Sequence, residues 1–547
     1  MKRIKQYIMF GAAALMTASC SDFLDTTPYD ALSPSTTWKT EQDAEKFAIG
    51  CYSGWEDGGR LLYMDCTSDF GYNNFSWEGY KDLANGNMTQ ANSGASFYGY
   101  TTIRRCNTFL NNVQSIEFAD EAVKKDLIAQ VRVLRAYKYF IMNWAYGGVP
   151  IIDNYDTAED AQVPRNTEQE VRDFIAKELD ESTPDLNKMP AERGRIAKGA
   201  ALALRMREAL YYDDWAMAKQ KAEEIIAMDE YDLEDDYLKL FQVAGQDSKE
   251  TILAVQYIPN TYTLYTIGQM YNNGDGGWSS IVPTYNLVDT YEMKNGMRID
   301  EQGSGYDATH PFKDRDPRLA MSVIYPGADY VKAGGAAAVF NTLDKTINGE
   351  SNANYMTSAD NASKTGLTWN KYLSPITQYA DIWKSNACPI VFRYAEVLLT
   401  WAEAENELNG PSDEIYKKIN KVRERAGMPD VDQAKYATKE ALRELIHRER
   451  AVEFAGEGLR RADILRWKTA DGKMLAEKVL NGRLERRIGT VDASVSDPGL
   501  RATITQNPDP TEVLIENRSF QPFHRYFPFS QGDIDKNPKL EQNEGYK

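Results

Sequence analysis

Two stretches of the chain set flat aromatic side chains and short amides between glycines: "DFGYNNFSWEGY", from Asp69 to Tyr80, and "MYNNGDGGWSSIVPT", from Met270 to Thr284. Tyr72, Asn73, Asn74, Trp77 and Tyr80 in the first, and Trp278 in the second, fall outside helical periodicity, where core packing has the weakest claim on a ring. A hexose offers an apolar CH face and a rim of hydroxyls. Flat rings flanked by amides and carboxylates suit that shape, so the chemistry on offer is sugar recognition by stacking and hydrogen bonding. Trp77 and Trp278, far apart in sequence, are expected to meet on one exposed surface. Trp144, Trp215, Trp401 and Trp467 lie in helical patterns and read as scaffold, whereas Trp369 in "TGLTWNKYL" and Trp383 in "YADIWKSN" suit strands as well as a surface.

Bond-breaking chemistry finds less support. The chain holds three histidines, His310, His447 and His524, and no HExxH, GxSxG, GxGxxG or GxxxxGK[ST] pattern. No EF-hand loop is present, so no metal, cofactor or catalytic residue is expected. His447 sits among Arg448, Glu449, Arg450 and Glu453, whose spacing suits ion pairs on a helix surface. A glycoside hydrolase leaves no fixed spacing between its two carboxylates, and with 81 acids in the chain a surface-anchored glycosidase stands as the rival class.

Lys2, Arg3 and Lys5 precede an apolar run from Ile8 to Ala18, a secretory leader too short to span a bilayer. "TASC" ends it as a lipobox would, although Thr17 stands where Leu is usual; Cys20 would then carry the acyl chains that tether the protein. An ordinary cut near Ala18 would instead leave Cys20 a free thiol. Removing residues 1–19 takes the formal charge from -18 to -21, which argues against a nucleic-acid partner. Cys51, Cys66, Cys106 and Cys388 are widely spaced, without CxxC pairs, and fit buried thiols or any of three disulfide pairings.

These residues need a frame. "KKDLIAQVRVLRAYKYFIMNWAYGGVP" carries one apolar stripe through Leu127, Val131, Leu134, Ile141 and Ala145, stopped by Gly147, Gly148 and Pro150. "AKGAALALRMREALYYDDWAMAKQKAEEIIAMDEYDL" reads as two alanine-rich helices joined at residues 211–214. "FRYAEVLLTWAEAENELNG" with "EIYKKINKVRERAGMPD" makes a later pair, followed by "TKEALRELIHRERAVEFAGEG". Helix pairs of this kind stack as tetratricopeptide-like repeats. Between them, residues 251–389 are rich in Gly, Asn, Tyr and Trp and read as loops and short strands.

Together, "RYAEVLLTWAEAENELNG", "INKVRERAG", "HRERAVEFAGEGLRRADILRW" and "NPKLEQNEGYK" resemble the SusD/RagB family of outer-membrane nutrient-binding lipoproteins. "SDFLDTTP", "RVLRAYKYFIMNWAYGGVP", "YEMKNGMRID" and "RDPRL" fit the same family in the same order. The resemblance covers almost the whole mature chain and is weakest at residues 73–96, the part expected to face the ligand. It implies a mainly α fold, a tetratricopeptide-like helical-pair scaffold with a loop-rich, short-strand binding face. The expected division is a leader at 1–19, a helical part at 20–250, a loop and strand excursion at 251–389, and a helical part at 390–547 completing one domain. The resemblance further implies a non-enzymatic protein that captures oligosaccharide, or in some members peptide, as the lid of a SusC-type TonB-dependent transporter. Such a protein is lipid-anchored at Cys20 and faces the cell exterior; Asp22 and Asp25 resemble the signal for that placement.

Overall fold

The apolar stripe from Leu127 to Ala145 becomes a helix of 26 residues, started by the Asp120 carboxylate, which accepts from the Ala122 amide, and stopped by Gly147 at φ +67°. A computed structural model of the protein describes residues 38–153, 157 and 159–546. The leader, Cys20, Asp22 and Asp25 lie outside the described residues. The helical frame comprises α1 (Glu41–Cys51), α2 (Thr101–Asn112), α3 (Glu121–Tyr146), α4 (Glu168–Ser182) and α5 (Lys198–Tyr211). It continues through α6 (Trp215–Met228), α7 (Tyr394–Asn409), α8 (Asp413–Arg425) and α9 (Lys439–Glu453).

Helices adjacent in sequence pack on one another: α2 on α3, α3 on α4, α5 on α6 and α7 on α8. α6 also packs on α7, so the early helices meet the late ones directly. Small side chains permit that approach: Ala209, Ala218 and Ala404 are fully buried together with Leu210, and Trp215 covers their edge. The core is continuous from Ala44 to Tyr546, and the protein is mainly α. Cys51, Cys66, Cys106 and Cys388 are buried free thiols within it.

Every sheet among the described residues has two strands. Those that matter for the site are β1 (Gly71–Asn73), β2 (Thr251–Ala254), β3 (Ile281–Pro283), β4 (Ile390–Arg393), β5 (Gly482–Glu485) and β6 (Leu514–Arg518). β2 pairs antiparallel with β4, which leads straight into α7. The segment 251–389 also contains three short helices, Thr266–Met270, Tyr285–Thr290 and Pro317–Ser322, each too brief for a helical period to show in sequence.

The reading of residues 447–453 as a helix surface is corrected by the structure. Glu449 is 2%, Arg450 1% and Glu453 0% exposed, and their partners come from other segments. Glu453 holds Arg318 at 3.0 Å and Arg393 at 2.8 Å and also pairs with Arg425, while Arg393 reaches Glu250 at 2.7 Å and Glu457 at 2.6 Å. Lys371 donates to Glu457 and to the carbonyls of Glu453 and Ala455. Burying so many charges is tolerable because each cation meets several oxygens, and the surrounding guanidinium groups hold the Glu453 carboxyl far below the usual carboxylate range in spite of burial. This cluster ties the start of α7 and the ends of α8 and α9 to the middle segment that carries the site.

Candidate functional site

Strands β1 and β3 bring the two aromatic stretches together. They pair antiparallel with Gly71 opposite Pro283, Tyr72 opposite Val282 and Asn73 opposite Ile281. The turn after β1 then stands beside the loop before β3, and the Trp77 and Trp278 rings meet edge to face with centroids 6.3 Å apart. Phe75 stacks on Trp77 at 5.5 Å. Trp278 in turn contacts Tyr265 at 5.9 Å and Trp383 at 4.8 Å, and Tyr265 contacts Trp383 at 4.6 Å. The result is a continuous surface of five rings drawn from four segments, with Trp77 69% and Tyr265 47% exposed. Trp278 and Trp383 are half-buried.

Glycines set this surface. A Cβ on Gly268 would lie 2.3 Å from the Trp383 ring, so only glycine lets that ring rest on the short helix Thr266–Met270. Gly276 turns the chain at φ +85°, and a Cβ on Gly277 would lie 2.2 Å from the Tyr271 carbonyl oxygen. Around this turn the Asp275 amide donates to Asn272 Oδ1 at 3.1 Å, and Asn273 Nδ2 donates to the Ala353 carbonyl at 2.8 Å.

Beside the rings lies Glu78. Its carboxylate accepts from Gln269 Nε2 at 3.0 Å and from Asn73 Nδ2. Burial raises its pKa above the usual carboxylate value, and the hydrogen bonds from Asn73 and Gln269 oppose that rise.

Three of the side chains expected to face a ligand lie beneath the surface instead. Tyr72 is 3%, Asn73 0% and Asn74 9% exposed, because Tyr72 and Asn73 belong to a strand rather than a loop. Their work is positional. Asn73 Nδ2 donates to the Ser280 carbonyl at 3.1 Å, the Asn74 amide donates to the same carbonyl at 2.8 Å, and Asn74 Nδ2 donates to the Asp360 carbonyl at 2.8 Å. Tyr80 is half-buried and stacks on Tyr63 at 4.6 Å. Of the rings left open between strand and surface, Trp369 is 1% exposed and belongs to the core, while Trp383 joins the aromatic surface. Tyr265 and Phe75 carried no distinguishing signal beyond lying in Gly- and Asn-punctuated stretches. Trp144, Trp401 and Trp467 are buried, and Trp467 stacks on His447 at 3.9 Å. His524 is buried against Phe520, Phe523 and Tyr546.

No helix among the described residues is long and apolar enough to cross a membrane. No group of three or more His, Cys, Asp or Glu among them could hold a metal ion.

Comparison with known proteins places this geometry. Residues 22–210 match a family model described as starch-binding associating with outer membrane, and residues 249–546 match the SusD family model. A SusD-like protein, P25, of Formosa agariphila is 26% identical over 85% of this chain and 90% of its own. The starch-binding protein SusD of Bacteroides thetaiotaomicron is 24% identical over 81% of this chain and 77% of its own. Among solved structures, a SusD-like carbohydrate-binding protein of Bacteroides fragilis superposes with a TM-score of 0.78 at 27% identity, covering 92% of this chain and 100% of that one. A second SusD-like protein from the same species gives 0.76 at 25% identity over 95% and 100%. With its model matching more than half of the chain, this protein belongs to the SusD family.

Proposed function

We propose that the protein captures oligosaccharide on the Phe75–Trp77–Tyr265–Trp278–Trp383 surface and passes it, uncut, to a SusC-type TonB-dependent transporter in the outer membrane. The observation that carries this reading is the five-ring surface itself. A soluble protein does not gain by leaving a tryptophan 69% exposed beside a second exposed aromatic, and contiguous exposed apolar area marks a binding site. Differently tilted rings offer several stacking planes to successive sugars of a chain, while Glu78 and Asn273 border them with hydroxyl partners. The starch-binding and carbohydrate-binding names of its relatives support the same class of ligand. The commitment of Glu78 to Gln269 and Asn73 supports holding over cleavage. "TASC" supports attachment through Cys20 to the outer membrane, with the face toward the exterior.

A glycan array probed with the soluble mature protein, followed by a reducing-end assay on the glycans bound, tests this. The reading expects bound oligosaccharides and no new reducing ends. New ends would restore the glycosidase, and an array without hits would end the glycan reading.

A further inference from the structure

Four cations without an ion-paired carboxylate stand on segments that the fold fastens around β1 and the loop before β3. Lys81 Nζ stands 5.2 Å from the centroid of the Tyr72 ring, and Lys345 Nζ 5.9 Å from that of Tyr355. Lys364 Nζ donates only to the Ala359 carbonyl, at 2.8 Å. Arg486 donates through Nε to the Glu512 carbonyl at 3.2 Å and through Nη2 to the Leu514 carbonyl at 3.3 Å, and its Nη1 is buried with no partner. None of the four lies within 4.0 Å of an acid.

The fold gathers them. Asn74 fastens the loop carrying Lys364 to β1, and the apolar cluster of Tyr72, Val282, Leu484 and Ile515 holds the β5–β6 hairpin, after which Arg486 follows, against the same strand. The segment carrying Lys345 and Tyr355 is fastened by Asp344, which accepts from the Val491 amide at 2.9 Å, and by Asn354, which accepts from the Gly274 amide at 2.7 Å. Burial holds the Lys364 amine below the ordinary lysine range; Asp360 opposes this, and the like charges of Arg486 and Lys81 add to it. In spite of burial, Tyr72, Glu516 and Asp82 hold the Lys81 amine above the ordinary lysine range from beyond ion-pair distance, while Glu516 pairs with Arg518 at 2.9 Å and Asp82 accepts from Asn92 at 2.8 Å. In a chain of net charge -18, four cations without an ion-paired carboxylate leave local positive charge that a bound anion would neutralise.

Lys81 follows Trp77 by four residues, so at most about 14 Å of chain separates this lysine from the aromatic surface. One oligosaccharide can touch both. We propose that Lys81, Lys345, Lys364 and Arg486 form an anion subsite that selects acidic oligosaccharides, whose carboxylate or sulfate groups it neutralises while the sugar rings stack at Trp77. This rests on the platform reading above and adds the class of glycan to it.

The test uses an array of neutral, uronate-bearing and sulfated oligosaccharides, then calorimetry with the tightest hit and its carboxyl-reduced or desulfated derivative. The expected result is that acidic glycans dominate the hits and that neutralising the hit costs about tenfold in affinity, a gap that narrows as salt rises from about 20 mM to about 500 mM. Whether carboxyl reduction or desulfation causes the loss identifies the group. The triple variant Lys81→Gln, Lys345→Gln, Lys364→Gln should close the gap while still binding the neutralised glycan; Trp77→Ala should weaken both. Neutral hits alone, or a preference that survives in a folded triple variant, would overturn the subsite and leave the platform standing. Failure of every glycan to bind would overturn both.

Discussion

Trp77→Ala separates ligand binding from folding more cleanly than any other change. The ring is 69% exposed and its ring partners are Phe75 at 5.5 Å and Trp278 at 6.3 Å, so its loss should cost the fold about 1 kcal/mol or less. A sugar laid on its open face would cover about a third of the area a buried tryptophan hides, roughly 60 Å². At about 25 cal/mol per Å² that is about 1.5 kcal/mol, and the ring-specific part of stacking brings the total to about 2 kcal/mol, near thirtyfold in affinity. Trp278→Ala should lose at least as much affinity and also melt about one to two degrees lower, because Trp278 supports Trp77, Tyr265 and Trp383 together. Calorimetry with an oligosaccharide found on the array, paired with thermal melting, reads both quantities. Unchanged affinity in Trp77→Ala, or a melting loss as large as that of the core variant Trp369→Ala, would refute the reasoning.

Four further outcomes follow from particular contacts. Gly268→Ala should displace Trp383, since the new Cβ would stand 2.3 Å from its ring, and weaken glycan binding at a stability cost of about 1–3 kcal/mol; unaltered affinity would show that Trp383 takes no part. Glu453→Gln should cost about 3–5 kcal/mol in denaturant unfolding, because Arg318, Arg393 and Arg425 lose their shared counter-charge; a loss below about 1 kcal/mol would contradict the network's role. Burial pushes the Asp65 carboxyl up to about 7, only partly opposed by the Gly456 amide, so its charged form is penalised in the folded state. That penalty is absent below about pH 4, where the unfolded carboxyl also holds its proton, and complete above pH 7; Asp65→Asn should therefore gain stability over wild type as pH rises through that window, and a constant difference would refute it. Cys20→Ala should free the protein from the membrane fraction or leave its leader uncut, and fatty-acid labelling that persists in this variant would remove the lipid anchor from the account.

The helices were legible because their signals are local. α3 shows its stripe and its Gly147 stop within one window, and α5 and α6 announce themselves through alanine periodicity broken at residues 211–214. The meeting of Trp77 with Trp278 was legible in outline, since neither ring has a helical position to explain it. Tyr265 and Trp383 were not, because what exposes them is the tertiary placement of the Thr266–Met270 helix and the Gly268 gap. Tyr72 and Asn73 misled for the opposite reason: a three-residue strand among glycines has too few positions to show alternation. The charges of α9 misled in a third way. Arg and Glu at helical spacing look alike on a surface and in a core, and only Arg318, Arg393 and Lys371, arriving from distant segments, decide which it is. The lysine cluster likewise exists only once four segments fold together.

A crystal structure of the mature protein with the tightest-binding oligosaccharide addresses the central claim most directly. The account predicts sugar rings in stacking contact with Trp77 or Trp278, with Glu78 or Asn273 within hydrogen-bond distance of their hydroxyls. Sugar density elsewhere, for instance in the 350 Å³ cavity lined by Tyr325, Tyr330 and Leu373, with the five-ring surface bare, would contradict it.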